Sequence, residues 1–137
     1  MTKKEKFKNT LDSLHRELCD VSDWMYHNPE LGFEEYETSK YLVNFIESKN
    51  AKVNYPSHSL ETAFDVTFGD SGPLVVLCVE YDALPEIGHA CGHNIIATAS
   101  IGAGLGLQDL ANDLARDSAK DLAKELTIAL AKDLAKD

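Results

Sequence analysis

Apolar residues recur every three or four positions at the start of the chain, the spacing that places them on one face of an α-helix. The residues in this pattern are Phe7, Leu11, Leu14, Leu18, Val21 and Met25. Thr2 and Glu5 have the spacing of a capping box at the helix start, and Asn28 and Pro29 end the pattern. The sequence therefore predicts an amphipathic helix that ends at about His27.

A second helical pattern follows the segment 31–33. Its members are Thr38, Leu42, Phe45, Ile46 and Lys49. This helix is expected to end near Asn50, because asparagine tolerates the left-handed conformation in which many helices terminate. Two helices thus precede any predicted sheet.

The middle of the chain changes to strand patterns. Residues 53–55 predict a short strand, and residues 62–68 alternate well enough for a half-buried one. After the turn composition of 69–73, residues 74–79 (LVVLCV) are continuously apolar, which is typical of a strand buried on both faces. We expect 62–68 and 74–79 to form a hairpin with Cys78 in the core. A strand of this kind needs partners at both edges, so the predicted sheet is incomplete.

The last third of the chain predicts helix. Residues 95–107 are apolar and rich in glycine and alanine, and from Asp109 the sequence becomes the four-residue repeat DLAN, DLAR, DSAK, DLAK. Four residues turn a helix by about 400°, so the leucine stripe drifts by roughly 40° per repeat and excludes a left-handed coiled-coil seam. The segment 109–137 is expected to be a low-complexity helical tail, either solvated or bound to a partner.

Composition limits the location and the partners. The chain has 137 residues, enough for one domain, and a formal net charge of -10, which argues against nucleic acid or an acidic membrane surface as a partner. No apolar run is long enough to span a membrane and the start is charged, so a cytoplasmic location is expected. Three cysteines without an export signal predict reduced thiols. Cys19 and His15 both fall on the first helix, with His15 on its surface.

The stretch EYDALPEIGHACGHN, residues 80–94, concentrates the candidate chemistry. Cys91 and His93 supply a thiolate and an imidazole, both good zinc ligands, on either side of a flexible glycine. Glu80 and Asp82 alternate around one residue and so point to the same side, where one is able to bind a metal while the other orients the imidazole. Asn94 is expected to cap the following helix.

Three interpretations of this motif stay open on spacing alone. It is a metal site, a structural turn with a buried thiol, or a nucleophilic Cys91 with His89 or His93 as its base. The first two have similar weight, and the third lacks an orienting group.

Three segments carry a family resemblance: HNPELGFEE at 27–35, ETAF at 61–64 and the motif at 80–94. Together they resemble the N-terminal part of the aminoacylase and amidohydrolase family of dimetal peptidases, peptidase family M twenty, in its dipeptidase and aminobenzoyl-glutamate hydrolase branch. The resemblance implies an α/β fold, with residues 1–108 forming part of a three-layer catalytic domain. It also implies zinc or manganese, two ions in the full family site, and a dipeptide or N-acyl amino acid as substrate. A homo-oligomer is compatible with it.

Carried over by position, Cys91 and His93 match two metal ligands of the family. Asp82 matches the catalytic acid that supports the metal centre, and Glu80 stands where many relatives have a metal-binding histidine. His89 matches a motif residue without an assigned role.

The match covers about residues 10–107, and the family's general base and remaining ligands cannot be placed in this sequence. The chain therefore looks truncated, with at most a partial metal site, and hydrolysis is expected to be impaired or lost. The alternative is a non-enzymatic interaction protein whose C-terminal helix covers the sheet or binds a partner.

Overall fold

The computed structural model describes residues 1–69 and 73–134, and side chains within 1–69 and 73–117. Its elements, in chain order, are α1 (Lys3–His27), α2 (Tyr36–Ser48), β1 (Val53–Asn54), β2 (Asp65–Val66) and α3 (His93–Leu134). The mixed α/β class is confirmed, whereas the three-layer arrangement stays a prediction. No helix within the described ranges combines the length and the hydrophobicity needed to cross a membrane.

Helix α1 begins and ends where the sequence predicted. The Glu5 amide donates to Thr2 Oγ1 at 3.2 Å and the Thr2 amide donates to Glu5 Oε2 at 2.7 Å, which completes the capping box. At the other end, Asn28 Nδ2 donates to the Trp24 carbonyl at 2.7 Å and the Asn28 amide donates to the Met25 carbonyl at 3.1 Å. Hydrogen-bonding groups that a helix leaves unpaired are thus satisfied at both ends.

Helix α2 is capped by a residue outside its own sequence. The Glu30 carboxylate accepts from the Glu37 amide at 3.1 Å and from the Thr38 amide at 2.7 Å, so a negative charge sits at the positive end of the helix dipole. Asn50 adopts φ 61° just beyond the helix end, as its sequence position predicted.

The core lies where α1, α2 and α3 meet. Its buried members are Val21, Met25, Leu42, Ile46, Ala51, Ala97, Ile101 and Leu105. Glycines on α3 let this helix approach α1 closely: a Cβ on Gly102 would lie 3.0 Å from Leu18 Cδ1, and one on Gly106 would lie 2.6 Å from Phe7 Cε2. The predicted amphipathic face of α1 is therefore the face that packs on α3.

The first repeat of the predicted tail is joined to α1. Lys6 Nζ lies 3.5 Å from Asp109 Oδ2 and also pairs with Asp113, and Thr10 Oγ1 donates to Asp109 Oδ2 at 2.7 Å. Helix α3 runs through position 108 without interruption. The division of the chain at residue 108 stays a prediction, and residues 135–137 of the tail lie outside the described residues.

The prediction of a buried strand at 74–79 is wrong. Residues 73–82 contain no strand, Leu74 is 84% exposed, and Cys78 is exposed instead of lying in the core. The predicted hairpin is also wrong, because β2 pairs antiparallel with β1, with Val53 opposite Val66. An apolar strand gains from burial only where strands flank it and layers cover it, and the described residues provide neither around 74–77.

Candidate metal centre

The motif loop is held by the connection between α1 and α2. The Ala83 amide donates to the Glu30 carbonyl at 2.7 Å, and Leu31 and Ala83 form a parallel bridge. Within the loop, Leu84 and Gly88 exchange two main-chain hydrogen bonds of 2.9 and 3.1 Å. The motif was expected at the end of a buried strand, but it is positioned by this loop-to-loop contact instead.

A glycine forms the turn between Cys91 and His93. Gly92 has φ 84°, a conformation that side chains disfavour, and its amide donates to the His89 carbonyl at 2.9 Å. Its carbonyl accepts from the Ile95 amide at 3.0 Å, so α3 begins immediately after it. The chain reverses here within a few residues, leaving Cys91 exposed just before the helix.

Asn94 does not cap α3, which corrects the sequence prediction. It is the second residue of the helix and is buried, and its Nδ2 donates to Ser22 Oγ at 3.0 Å and to the Ser22 carbonyl at 3.3 Å. Gly92 occupies the capping position, because it directly precedes the helix and its carbonyl accepts from the Ile96 amide at 3.0 Å. Asn94 instead links α3 to α1 beside the motif.

His93 lies between the two predicted carboxylates. Its Nδ1 is 2.7 Å from Asp82 Oδ1 and 3.0 Å from the Asp82 carbonyl, and its Nε2 is 3.3 Å from Glu80 Oε2. Both partners of Nδ1 are acceptors, so this nitrogen carries the proton. Nε2 in turn faces a carboxylate oxygen of Glu80, an arrangement that either a second ring proton or a metal ion between the two atoms would stabilise.

The separation of His93 Nε2 and Glu80 Oε2 fits two ligands of one ion. Ligand distances of about 2.1 Å at a tetrahedral centre place the nitrogen and oxygen about 3.4 Å apart, close to the observed 3.3 Å. Within the part of the chain that the structure describes, no group of three or more His, Cys, Asp or Glu side chains is arranged to hold a metal ion. The roles of Cys91, Glu80, Asp82 and His93 therefore stay predictions, although three of the four are brought together.

The three segments that carry the family resemblance meet beside this pair. Glu35 from the first segment is buried and accepts from Thr62 Oγ1 of the second at 2.9 Å. Tyr81 of the third donates its hydroxyl to the Thr62 carbonyl. Burial raises the pKa of Tyr81, and the charge of Glu35 adds to the shift, so the hydroxyl keeps its proton. Spacing alone did not predict this network.

A cavity of about 350 Å³ opens next to the network. Its lining residues are Gly32, Phe33, Glu35, Leu60, Thr62, Ala63, Val79, Glu80, Tyr81 and Asp82. Glu80 and Asp82 thus face both His93 and a space of the size that holds small ligands.

His89 is buried, with 5% of its surface exposed, and neither ring nitrogen has a hydrogen-bond partner of normal geometry among the described residues. Burial lowers the pKa of His89 below its ordinary 6.5, and nearby His93 lowers it further, while Asp82 and the main chain of Met25 oppose the shift. Folding therefore favours the neutral imidazole.

Acid is expected to destabilise the fold through His89. Below its ordinary pKa of 6.5 the unfolded chain binds the proton more readily than the folded chain. The contribution of His89 to the free energy of unfolding should therefore be constant above that pH. Below it, the free energy of unfolding should fall by at most about 1.4 kcal/mol per pH unit because of this residue. Urea unfolding across this range measures the slope. His89→Phe should flatten it and the exposed control His58→Gln should not; equal slopes in all three chains would assign the acid sensitivity elsewhere.

No family model matches the chain. It is 34% identical over 116 residues to an Xaa-Arg dipeptidase of Mus musculus, covering 77% of this chain and 27% of that protein. It is 27% identical over 117 residues to a p-aminobenzoyl-glutamate hydrolase component of Escherichia coli (strain K12), covering 73% and 24%. It is 26% identical over 121 residues to N-acetyl-L-cysteine deacetylase of Bacillus subtilis (strain 168), covering 78% and 29%. The chain thus spans about a quarter of the length of these relatives.

Proposed function

Because the chain belongs to the aminoacylase and amidohydrolase family of dimetal peptidases, peptidase family M twenty, we propose that it carries part of a metal centre for amide-bond hydrolysis. The proposed substrates are dipeptides or N-acyl amino acids, in keeping with relatives named as dipeptidase, hydrolase and deacetylase. The observation that carries the proposal is the placement of His93 between Asp82 and Glu80.

Each motif residue has a separate proposed role. His93 Nε2, Glu80 and Cys91 would hold zinc or manganese, the thiol as thiolate. Asp82 would accept a hydrogen bond from the Nδ1–H of His93 and so favour the tautomer that leaves Nε2 able to bind. When bound, the metal supplies Lewis-acid polarisation of the substrate carbonyl.

The cavity beside the motif is the proposed position of the substrate. Along its wall, Thr62 Oγ1 donates to Glu35 and the Tyr81 hydroxyl donates to the Thr62 carbonyl, and these hydrogen bonds help to fix the shape of that wall. The remaining lining is partly apolar, through Phe33 and Leu60, two exposed side chains that a bound substrate would cover.

The described residues make this a partial site. A catalytic zinc takes three protein ligands plus water and works with a carboxylate that accepts the proton of that water. Here one imidazole and one carboxylate lie within reach of a common ion, and Cys91 is near in sequence. We therefore propose that this chain alone binds zinc weakly and turns over little or no substrate.

Zinc titration of the purified chain, read by competition with a chromophoric chelator, tests the proposal. Cys91→Ser is expected to weaken zinc binding because it removes the softest ligand, whereas Cys78→Ser is a matched control at another exposed cysteine. Hydrolysis of a dipeptide and an N-acetyl amino acid is measured in the same samples with zinc and with manganese.

Two results would contradict this proposal in different ways. Tight, stoichiometric zinc binding that Cys91→Ser leaves unchanged would remove the motif from the metal site. Robust zinc-dependent turnover by this chain alone would show that the centre is complete and that further ligands lie within these 137 residues.

A further inference from the structure

A second pair of metal-binding side chains lies on the surface of α1. His15 and Cys19 are four residues apart, and His15 Nε2 is 3.9 Å from Cys19 Sγ. Both residues are exposed and the thiol is free, so an ion has open access to both donor atoms. The motif at 80–94 uses neither residue.

The helix itself holds these two side chains together. Residues four apart lie on the same face of an α-helix, one turn above the other, and pairs with this spacing on a helix bind zinc in other proteins. Zinc bonds of about 2.3 Å to sulfur and about 2.05 Å to nitrogen at a tetrahedral angle place the two atoms about 3.6 Å apart. The observed separation exceeds this by a few tenths of an ångström, which a small rotation of two exposed side chains removes.

The charges around the pair attract a cation. Residues 12–23 include four acids, Asp12, Glu17, Asp20 and Asp23, and a single fully basic side chain, Arg16; Glu17 is paired with Lys49 of the segment after α2, which leaves three acids. Asp12 precedes His15 by three positions and Asp23 follows Cys19 by four, so both carboxylates share the face of the pair. The chain as a whole carries a formal net charge of -10, which adds to the attraction.

The pair is separate from the residues that hold the fold together. Helix α1 packs on α3 through its apolar face, where Leu18 lies against Gly102 and Val21 is buried in the core. His15 and Cys19 face solvent instead, so binding an ion, or changing either residue, leaves the core contacts in place.

We propose that His15 Nε2 and Cys19 Sγ form a surface chelate for zinc or a similarly soft divalent cation, with water completing the coordination. Binding breaks the S–H bond, releases that proton to solvent and forms a metal–sulfur bond, and no electrons are exchanged. The combination of thiolate and imidazole selects soft over hard cations, so magnesium and calcium should not compete. The proposal does not depend on the function proposed for the motif.

The test is the rate at which Cys19 is alkylated by iodoacetamide in the full chain, with and without zinc. Mass spectrometry of the digested protein reports each cysteine separately, so Cys91 does not interfere. Zinc is expected to slow the alkylation of Cys19, whereas magnesium should have no effect. His15→Gln should raise the zinc concentration that half-protects Cys19 by at least about 10-fold. Loss of even an outer partner of a metal ligand has an effect of that size.

His27→Gln is the matched control, because His27 lies on the same helix with its Nδ1 already bonded to the Asp23 carbonyl. Equal protection in wild type and His15→Gln would overturn the proposal, because the thiol would then bind zinc without the imidazole. Unchanged alkylation of Cys19 in saturating zinc would overturn it as well, and would leave the 3.9 Å contact as a hydrogen bond only.

Discussion

Replacing Leu42 by alanine is expected to lower the free energy of unfolding by about 2–5 kcal/mol. Leu42 lies on α2 with none of its surface exposed, and it belongs to the cluster in which α1, α2 and α3 meet. The substitution removes buried apolar surface and leaves a cavity among side chains that are fixed by three helices. Urea unfolding followed by circular dichroism measures the change.

The same substitution at Leu74 is the matched control. Leu74 is 84% exposed, so its replacement should change the free energy of unfolding by less than about 0.5 kcal/mol. The two variants remove identical atoms, and only the surroundings differ. A similar loss of stability at both positions would mean that residues 74–79 are buried, as their apolar sequence predicts, and would contradict the exposed conformation.

The contrast between buried Leu42 and exposed Leu74 shows which parts of the fold can be predicted from the sequence. Helix α1 has its capping box, apolar face and terminal residues encoded locally, and the structure confirms all three. A strand such as 74–79 depends on partners distant in sequence, and no local pattern states whether those partners are present. The strand pattern predicted that the sheet is incomplete, but not that its most apolar segment stays exposed.

In the candidate site, too, contacts between residues close in sequence were predicted and contacts between distant residues were not. Alternation around Tyr81 predicted that Glu80 and Asp82 share a side, and both lie against His93. The network of Glu35, Thr62 and Tyr81 and the cap that Glu30 provides for α2 join residues between 7 and 27 positions apart, so spacing within one motif does not reveal them. The one signal available was the family resemblance, because its three segments are those that meet in space.

The prediction for Asn94 was wrong because the helix begins earlier than expected. Asparagine is among the preferred capping residues, and the following helix is real, so propensity favoured it. The first hydrogen bond of the helix is instead accepted two residues earlier, by the Gly92 carbonyl from the Ile96 amide, so Asn94 already lies inside the helix. The side chain of Asn94 is then free to bond Ser22, and the motif becomes attached to α1.

Asp82→Asn is expected to weaken zinc binding at the motif by about 10- to 100-fold, although Asp82 is not itself proposed as a ligand. Asn keeps the size of the side chain and removes the charge to which the Nδ1–H of His93 is bonded, so the imidazole becomes less basic and its tautomer is held only by neutral acceptors such as the main-chain carbonyl of residue 82. The measurement is chelator competition in a chain that also carries Cys19→Ser, which removes any contribution from the pair on α1.

Glu86→Gln separates this effect from simple loss of negative charge. Glu86 belongs to the same loop, is exposed, and carries the same charge, so general attraction of a cation is reduced in both variants. At physiological salt the charge of an exposed residue is screened within about 8 Å, and Glu86→Gln should therefore change zinc affinity only slightly. If both variants weakened zinc binding equally, Asp82 would act as part of the acidic surroundings, and the proposed orientation of His93 by Asp82 would be wrong.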